Sequence, residues 1–430
     1  MCQTEPATQN TKGFHYAWVV MIALGLLMSG TIGSFTILAS LFYYPVAQEI
    51  GCELSQLTMY VTIEMVCMGL AMPVVGNLLK KVPLHYILGV AVAAEVLATA
   101  AMSSFTQVWM WYAAAVVIGL GLGATSTVTV APTIKNWFHK KTGFAIGMVW
   151  AIQSLFVALL SPVFTALIEA IGWRLGYLVL AIVSAAICFP CCAFLIRYKP
   201  AEKGLHPYGV GEGEGAEEEE DAAGATYEQA VKSLPFLLCI PLVMLCQLTS
   251  CMNTVFSSYA EVVGLGAVVG GLMVTAASLC DIVFNPLAGE TSDRFGATRS
   301  MVIWTIATMV SFVILYFGSG SALASIIGAG INDAMFAICG VGYSTFALSV
   351  FGPRDFDRIF SRITSAGYLV ASLGVPLMMF VYEKTGVFQN IFILCFVLDA
   401  VIMTLTLAIS KGGKHEAKKL AAAKAAEPND

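Results

Sequence analysis

Five acidic side chains lie inside long apolar stretches of the chain: Glu64, Glu95, Asp281, Asp333 and Asp399. No lysine or arginine lies equally deep in those stretches. A charged side chain at the centre of a membrane costs at least about 3 kcal/mol on insertion scales, so each acid should be protonated, paired with a polar group or facing water. Carboxyl groups placed in this way can take up and release protons, which predicts a role in proton transfer.

The composition indicates that the surroundings of these acids are a membrane. The chain has 430 residues, of which 58% are hydrophobic and only 11% are charged, and its mean hydropathy is +0.82. Soluble domains have about 25% charged residues, which excludes a soluble enzyme and a secreted disulfide-rich protein. The 22 basic and 27 acidic residues give a net charge of −5, which argues against binding to nucleic acid.

Apolar segments with few charges predict an all-α integral membrane protein with twelve transmembrane helices. The predicted spans are 16–42, 54–79, 84–104, 108–134, 142–168, 173–196, 235–260, 266–289, 299–318, 322–350, 360–382 and 388–410. The first apolar stretch is longer than the about 7–15 residues of a signal-peptide core, so we expect it to be retained as a helix.

The positive charges predict an orientation. If both termini lie on the same side of the membrane, the segments on that side contain every lysine and arginine except Arg174 and Lys384. By the positive-inside rule, both termini are expected in the cytoplasm and the protein in the plasma (inner) membrane.

Polar segments divide the chain into five parts. They predict an N-terminal cytoplasmic tail (1–13), a six-helix half (14–199), an acidic linker (200–233), a second six-helix half (234–411) and a cytoplasmic tail (412–430). The linker contains the run GEGEGAEEEED, which cannot bury apolar surface and is expected to be solvated.

The two halves repeat each other at a nearly constant offset. The matching pairs are Gly76 and Gly289, Phe138 and Phe351, Pro162 and Pro376, and Gly172 and Gly386. This repeat predicts two pseudo-symmetric halves with the substrate site between them, near the membrane centre.

The segment GETSDRFGATR, at the predicted inner end of the eighth helix, resembles the signature of the major facilitator superfamily. Its gate motif residues are Gly289, Asp293, Arg294, Gly296 and Arg299. Asp293 is expected to accept hydrogen bonds from backbone N–H groups at the start of the fifth helix, near Lys141–Gly143.

The first-half copy of this motif, GNLLKKVPLH, has Lys80 where the aspartate should be and Pro83 where the glycine should be. A lysine cannot cap a helix N-terminus. We therefore expect Asp293 alone to hold the two halves together on the inner side.

The motifs NWFHKKTGFAIG, GWRLGY and DIVFNP resemble those of oxalate/formate antiporters and monocarboxylate porters. This resemblance implies the major facilitator fold and a small, monocarboxylate-like organic anion as the substrate. Asn285 departs from the pattern, because those porters have a substrate-binding arginine there, and the eleventh helix lacks the lysine of dicarboxylate carriers. A neutral or cationic substrate therefore stays open, as does a membrane sensor that transports nothing.

The resemblance also implies that helices 1, 4, 7 and 10 line the cavity and that helices 2, 5, 8 and 11 rock around it. Asp281 and Asn285 are four residues apart and share one helical face. The predicted substrate or proton site comprises Asp281, Asn285, Asp333, Asn332, Glu64, Asn253, Gln247 and Gln153. For the neutral residues, hydrogen bonding between helices is an equally good interpretation, and Glu95 and Asp399 are expected to be structural or near an interface.

These features together predict a secondary active transporter that works by alternating access, with the proton as a candidate co-substrate. The expected partners are a small organic substrate and the lipid bilayer, with no nucleic acid, and a monomer is expected. No Walker loop is present, and the histidines fall at span ends or in loops, which argues against a membrane enzyme. No catalytic residue, metal or cofactor is expected, and the cysteines of AAICFPCCAFLI are interpreted as apolar packing residues.

Overall fold

The computed structural model describes residues 15–209 and 224–426. Within these ranges, eleven helices are long and apolar enough to cross a membrane. In chain order they are α1 (Tyr16–Ile50), α2 (Ser55–Leu78), α3 (Leu84–Met102), α4 (Val108–Trp137), the double helix Thr142–Leu195, α7 (Leu234–Val262), α8 (Val268–Phe295), α9 (Ala297–Phe317), α10 (Ala322–Phe351), α11 (Phe356–Thr385) and α12 (Gln389–Gly412). The predicted tail 1–13 and the acidic run of the linker lie outside the described residues.

The segment Thr142–Leu195 consists of two membrane helices. Gly172 interrupts it with φ +80° and ψ 162°, a conformation that glycine adopts without a steric penalty. This break separates α5 (142–171) from α6 (173–195), so the predicted number of twelve crossings is confirmed.

Several helices extend beyond their predicted ends. α1 continues to Ile50, and α8 continues to Phe295, so GETSDRF, the first part of the GETSDRFGATR motif, is helical. The last helix continues as Gln389–Ala426 through most of the predicted C-terminal tail. The tail is rich in alanine, lysine and leucine, which have high helix propensity, and this explains why hydropathy alone placed the end too early.

The helices pack as two halves, α1–α6 and α7–α12, with α5 against α8 and α2 against α11 across the interface. The positions that repeat in sequence occupy matching places. Gly172 and Gly386 both have positive φ at helix ends, and Phe138 and Phe351 lie at the ends of α4 and α10. Large side chains such as Trp111 and Trp137 are buried between helices, whereas Leu70 and Val90 lie on the exposed surface of the bundle.

Five helices have an interrupted backbone near their middle. α1 contains the π-helix Ser29–Ile37, whereas α4 breaks at Ser126, α7 at Cys251, α10 at Asp333 and α11 at Ser372 and Leu373. Irregular backbone at membrane depth is tolerated where it is buried in protein or lines a water-filled cavity. Four of these helices are the ones that were expected to line the cavity, and the fifth, α11, was expected to rock around it.

Because the number of crossings is even, the start of α1, the end of α12 and the described ends of the linker lie on one side of the bundle, which we call the linker face. The opposite side is called the far face. Arg174 bonds the carbonyl oxygens of Ser103 and Phe105 in the far-face loop after α3, at 3.0 and 3.3 Å. Lys384 is in the last turn of α11, also at the far face. These are the two basic residues that the sequence assigned to the opposite side from the rest.

Candidate functional site

Asp281 lies at the interface between the two halves. Its Oδ2 accepts a hydrogen bond from the hydroxyl of Ser154 on α5, in the other half. Its Oδ1 accepts a second bond from Asn285 Nδ2, one turn along α8, at 2.5 Å. The four-residue spacing therefore brings Asp281 and Asn285 together, as predicted.

Asp333 continues this group on α10. Its Oδ1 accepts a hydrogen bond from Nδ2 of Asn253 on α7 at 3.0 Å, and its side chain interacts directly with that of Asp281. Asp333 is buried, at 3% exposure, where the backbone of α10 is interrupted. We call the connected residues Asn253, Asp281, Asn285 and Asp333 the central site.

Several polar atoms at the central site are buried and have no hydrogen-bond partner among the described residues. They are Asp333 Oδ2, Asn253 Oδ1, Asn285 Oδ1 and, from the other half, Trp150 Nε1. A Cβ atom on Gly340 would lie 2.9 Å from Asn285 Oδ1 and 3.0 Å from Trp150 Nε1, so the two halves meet closely here. Buried polar groups normally have partners, which makes these atoms candidates for contact with a ligand or water.

Sequence reasoning missed Ser154 and Trp150. A serine and a tryptophan within an apolar helix carry no charge signal, and nothing in the spacing of α5 distinguishes their face from the others. Their position became visible only when α5 was packed against α8 and α10.

The other predicted site residues lie outside the central site. Asn332 donates to Ser311 Oγ on α9 at 2.9 Å, and the Glu64 carboxylate accepts from Thr36 at 2.5 Å. Consecutive helical residues point about 100° apart, which explains why Asn332 faces α9 although its neighbour Asp333 faces the central site.

Gln247 and Gln153 are each buried within their own half. Gln247 bonds the side chain of Tyr368 on α11. Gln153 lies beside Gly33 of α1, and its Nε2 has no partner among the described residues. The central site therefore brings together four of the eight predicted residues.

Glu95 and Asp399 are fully buried away from the interface between the halves. Glu95 accepts a hydrogen bond from Thr125 at 3.0 Å, and Asp399 accepts one from Thr308 at 2.6 Å. Both contacts join helices of the same half.

On the linker face, Asp293 joins α8 to α5. Its two carboxylate oxygens accept hydrogen bonds from the backbone N–H groups of Gly143 and Phe144, each at 2.9 Å. These N–H groups are in the first turn of α5, where they have no partner within the helix and favour an anion. The predicted contact between Asp293 and the start of α5 is confirmed, and we call it the α5–α8 latch.

Glycines allow the close approach in this latch. A Cβ atom on Gly143 would lie 2.7 Å from the carbonyl oxygen of Gly289, which is too close for any real side chain. Of the other gate motif residues, Arg294 pairs with Glu290 on its own helix at 2.5 Å, and Gly296 ends α8 with φ +87°. Arg299 follows in the first turn of α9.

The related contact between α2 and α11 corrects a sequence prediction. Lys80 forms an ion pair with Asp355, so the expectation that Asp293 alone joins the halves is wrong. Arg358 donates to Asn77 Oδ1 at 2.8 Å, and Ser365 donates to the Gly69 carbonyl at 2.6 Å. We call this set the α2–α11 latch.

In the α2–α11 latch, the acid is on the opposite partner helix from the one in the α5–α8 latch. The acid is at the start of α11, where the helix dipole favours an anion, and the lysine follows the end of α2, where it favours a cation. The pKa of Asp355 is lowered, because partial burial is outweighed by the hydrogen bonds and charge of Lys80 and by the N–H of Tyr227.

The described ends of the linker are ordered and bind different halves. Residues 200–209 pack on the first half, where Tyr208 N–H donates to the Trp137 carbonyl at 2.8 Å. At the other end, Tyr227 N–H donates to Asp355 at 2.7 Å, and the Tyr227 ring lies under the guanidinium groups of Arg358 and Arg362, at 4.3 and 4.9 Å.

Tyr198, just before the linker, crosses to the second half. Its hydroxyl donates to the carboxylate of Asp357. Burial and the neighbouring Asp357 charge raise the pKa of Tyr198, so the hydroxyl stays protonated and remains a donor. The linker region thus contributes to the closure of the linker face.

The sequence profile of the Major Facilitator Superfamily matches residues 22–272 and 238–428. The chain belongs to the Major Facilitator Superfamily. As a member, it is a multi-pass membrane protein of the secondary transporter class and not an enzyme. A search of curated proteins finds no match to its sequence.

Solved structures of this superfamily share the fold. The human organic anion transporter MFSD10 (TETRAN) is 13% identical, with a TM-score of 0.66 over 91% of this chain and 99% of that chain. The transporter FucP in the outward conformation is 10% identical, with a TM-score of 0.68 over 92% and 99%. A single-residue variant of the E. coli fucose:proton symporter, FucP, is 12% identical, with a TM-score of 0.67 over 91% and 98%.

Proposed function

We propose that this superfamily member carries a small organic solute by alternating access and that protons bound at Asp281 and Asp333 drive the transport. The state described here is closed at the linker face. Among residues 15–209 and 224–426, most hydrogen bonds and ion pairs between halves lie at the two latches, near the linker ends or at Asp281. Thr127 on α4 also interacts with Tyr343 and Tyr368 in the second half. Opening the latches while closing the far face would expose the central site to the other side.

The observation that carries proton coupling is the contact of Asp281 with both Ser154 and Asp333. It links an acid pair to the moving interface, so that the protonation of the pair and the separation of the halves can depend on each other. None of the ion pairs between residues that the structure describes includes Asp281 or Asp333. A pair of acids without a cationic partner can be neutralised by protons or by a cationic ligand.

The orientation follows from the positive charges. The sequence assigns all lysines and arginines except Arg174 and Lys384 to the side of the linker, and the positive-inside rule favours this side as cytoplasmic. We therefore propose a plasma-membrane protein with cytoplasmic termini whose described state is closed on the cytoplasmic side. Each chain contains both halves of the site, which supports a monomeric carrier.

The substrate class has several candidates. The motif resemblance favours a monocarboxylate, and one structural neighbour is described as an organic anion transporter, whereas another is described as a fucose:proton symporter. Asn285 replaces the arginine that would hold a carboxylate. An anion could therefore enter only with the central acids protonated, as in proton symport.

The test uses the full chain in liposomes that contain a pH-sensitive dye. Matched panels of organic anions, organic cations and neutral solutes are added outside, and solute-driven proton movement is recorded. We expect at least one panel to move protons, and Asp281→Asn and Asp333→Asn to abolish this movement while solute exchange remains measurable. Exchange needs only the loaded carrier to reorient, whereas coupled transport needs the acids to lose and regain protons.

The matched control is Asp399→Asn, which changes a buried acid far from the interface and should leave proton movement unchanged. Solute transport that is indifferent to pH in the wild type, with full activity in both site variants, would contradict proton coupling.

A further inference from the structure

The hydrogen bonds of the central site use up its amide donors. Asn253 donates its Nδ2 to Asp333, and Asn285 donates its Nδ2 to Asp281. Both amides are therefore oriented with their oxygen atoms away from the carboxylates. At the central site, the second-half atoms left without partners among the described residues are all oxygens: Asn253 Oδ1, Asn285 Oδ1 and Asp333 Oδ2.

A ligand at these oxygens must donate hydrogen bonds. An alkylammonium group has up to three N–H donors and no acceptor, whereas a carboxylate has acceptors only. Placing a carboxylate beside these oxygens would leave acceptors facing acceptors. Asp333 and Asn285 are only 3% and 1% exposed, so bulk water does not reach their free oxygens. These oxygens can be hydrogen-bonded only if a molecule enters the site.

Electrostatics favours the same ligand. The titratable groups that face the central site are Asp281 and Asp333 themselves and Cys280, which lies beside both. The packed neighbours from α5 and α7 contribute Ser154 and Asn253, which are neutral. The site therefore carries negative charge whenever an acid is ionised, and this charge attracts a cation and repels an anion.

We infer that the central site binds a small organic cation with an ammonium group, which is exchanged for protons on Asp281 and Asp333. The inference rests on the proposed transport function and names its substrate class. Binding requires that protons leave the acids as the cation enters. The net charge of the site is then nearly the same whether it holds protons or the cation. Trp150 Nε1, on the opposing half, lies near Asn285 Oδ1, so the site offers a ligand three free oxygens and one N–H donor among the described residues.

The test compares three probes of nearly equal size and shape: butylammonium, butyrate and butyramide. The purified full-length protein is titrated with each probe, and the shift of its thermal unfolding midpoint gives the apparent affinity. We expect butylammonium to stabilise the protein and the other two probes to have no effect. Tetraethylammonium, which has the charge but no N–H donor, should bind more weakly than butylammonium.

The pH dependence separates specific binding from general charge effects. Because protons compete with the cation, affinity should rise with pH through the range in which the acid pair loses its protons, by up to about tenfold per unit for each proton exchanged. Asp281→Asn and Asp333→Asn should each weaken butylammonium binding about tenfold or more and flatten this dependence. Asp399→Asn serves as the matched control and should behave like the wild type.

Stabilisation by butyrate or butyramide instead of butylammonium, or no response to butylammonium, would overturn the inference. So would a butylammonium effect that survives both site substitutions. Butyrate-driven proton movement in liposomes would overturn the cation assignment and leave the proposed proton-coupled transport intact. Conversely, specific butylammonium binding without any solute-driven proton movement would support the site and contradict the proposed transport coupling.

Discussion

The α5–α8 latch and the α2–α11 latch join the same two halves on the same face by different chemistry. In the first, the Asp293 carboxylate is bonded to two backbone N–H groups at a helix N-terminus. In the second, the Lys80 ammonium and the Asp355 carboxylate pair as side chains, which are 38% and 18% exposed. Repeated sequences have thus kept the position of the contact and changed its composition.

The difference has physical consequences for each latch. Backbone N–H groups cannot reorient, so the α5–α8 latch depends on the close approach of two glycines and should be nearly insensitive to salt. Exposed ion pairs contribute about 0.2–1 kcal/mol and are screened by salt. We therefore expect the α5–α8 latch to contribute more to the closed state and the α2–α11 latch to be the adjustable one.

Gly289→Ala is expected to have the largest effect on the population of the form closed at the linker face. The added methyl group would lie 2.6 Å from the backbone nitrogen of Phe144, which cannot move without displacing α5. Because backbone atoms would have to move, this overpacking should cost about 3 kcal/mol or more and should shift the population toward the form open at the linker face. Distances between spin labels at Lys81 and Arg354, in a background without native cysteines, would report this shift. Gly271→Ala is the control, since nothing lies within 4 Å of a Cβ at that position.

Asp293→Asn should give the next largest effect. An amide keeps one acceptor for Gly143 or Phe144 but turns its NH₂ group toward the other N–H donor. The loss of a charge-assisted hydrogen bond should shift the free-energy difference between the closed and open forms by about 1.5–3 kcal/mol toward the open form, with little dependence on salt. The same spin-label distances measure it. Glu290→Gln, which removes only the exposed pair with Arg294, should change them little, and an equal effect of both substitutions would refute the special role of Asp293.

Lys80→Gln should have a smaller effect, about 0.2–1 kcal/mol, because the ion pair is partly exposed. In the wild type, this contribution should decline between about 0.15 M and about 1 M salt as the Debye length shortens. The double variant Lys80→Asp with Asp355→Lys should recover part of the closed population. If it behaves no better than the single variants, the contact depends on shape and not on charge.

The smallest effect concerns pH. The pKa of Asp355 is lowered in the closed form, so its contribution is present above the ordinary aspartate value of about 3.9 and is lost as pH falls through the lowered pKa. We therefore expect the Lys80-dependent part of the closed population to be constant between about pH 8 and about pH 5. A decline in this range that Lys80→Gln eliminates would show that another group controls the pair.

The fold was predictable to a large extent because membrane insertion is governed by local composition. Twelve apolar segments, the separation of Arg174 and Lys384 from the other basic residues, and the Asp293 contact all follow from hydropathy, charge and one motif. The errors fell where a local rule was applied to a property that depends on packing. Lys80 in the first motif copy predicts a missing contact when the motif is considered alone. Its partner, Asp355, lies 275 residues away and becomes a neighbour only in the folded protein.

The central site shows the same division. The spacing of Asp281 and Asn285 on one helix fixes their proximity, because helix geometry is local. Whether Asp333 or its neighbour Asn332 reaches them depends on how α10 is rotated about its axis, and the sequence alone placed both in the site. Packing against α7 and α9 sets that rotation, since Asn253 bonds Asp333 and Ser311 bonds Asn332.

The sequence by itself therefore determined that the chain crosses the membrane, how often it does so and that its buried acids lack nearby lysine or arginine. These properties follow from the transfer free energy of short segments, which does not depend on the rest of the fold. Only the tertiary structure decided which acids meet, that Ser154 and Trp150 face them from the other half, and that Lys80 closes a second latch. Those contacts join helices far apart in sequence, and their geometry is set by the packing of the two halves.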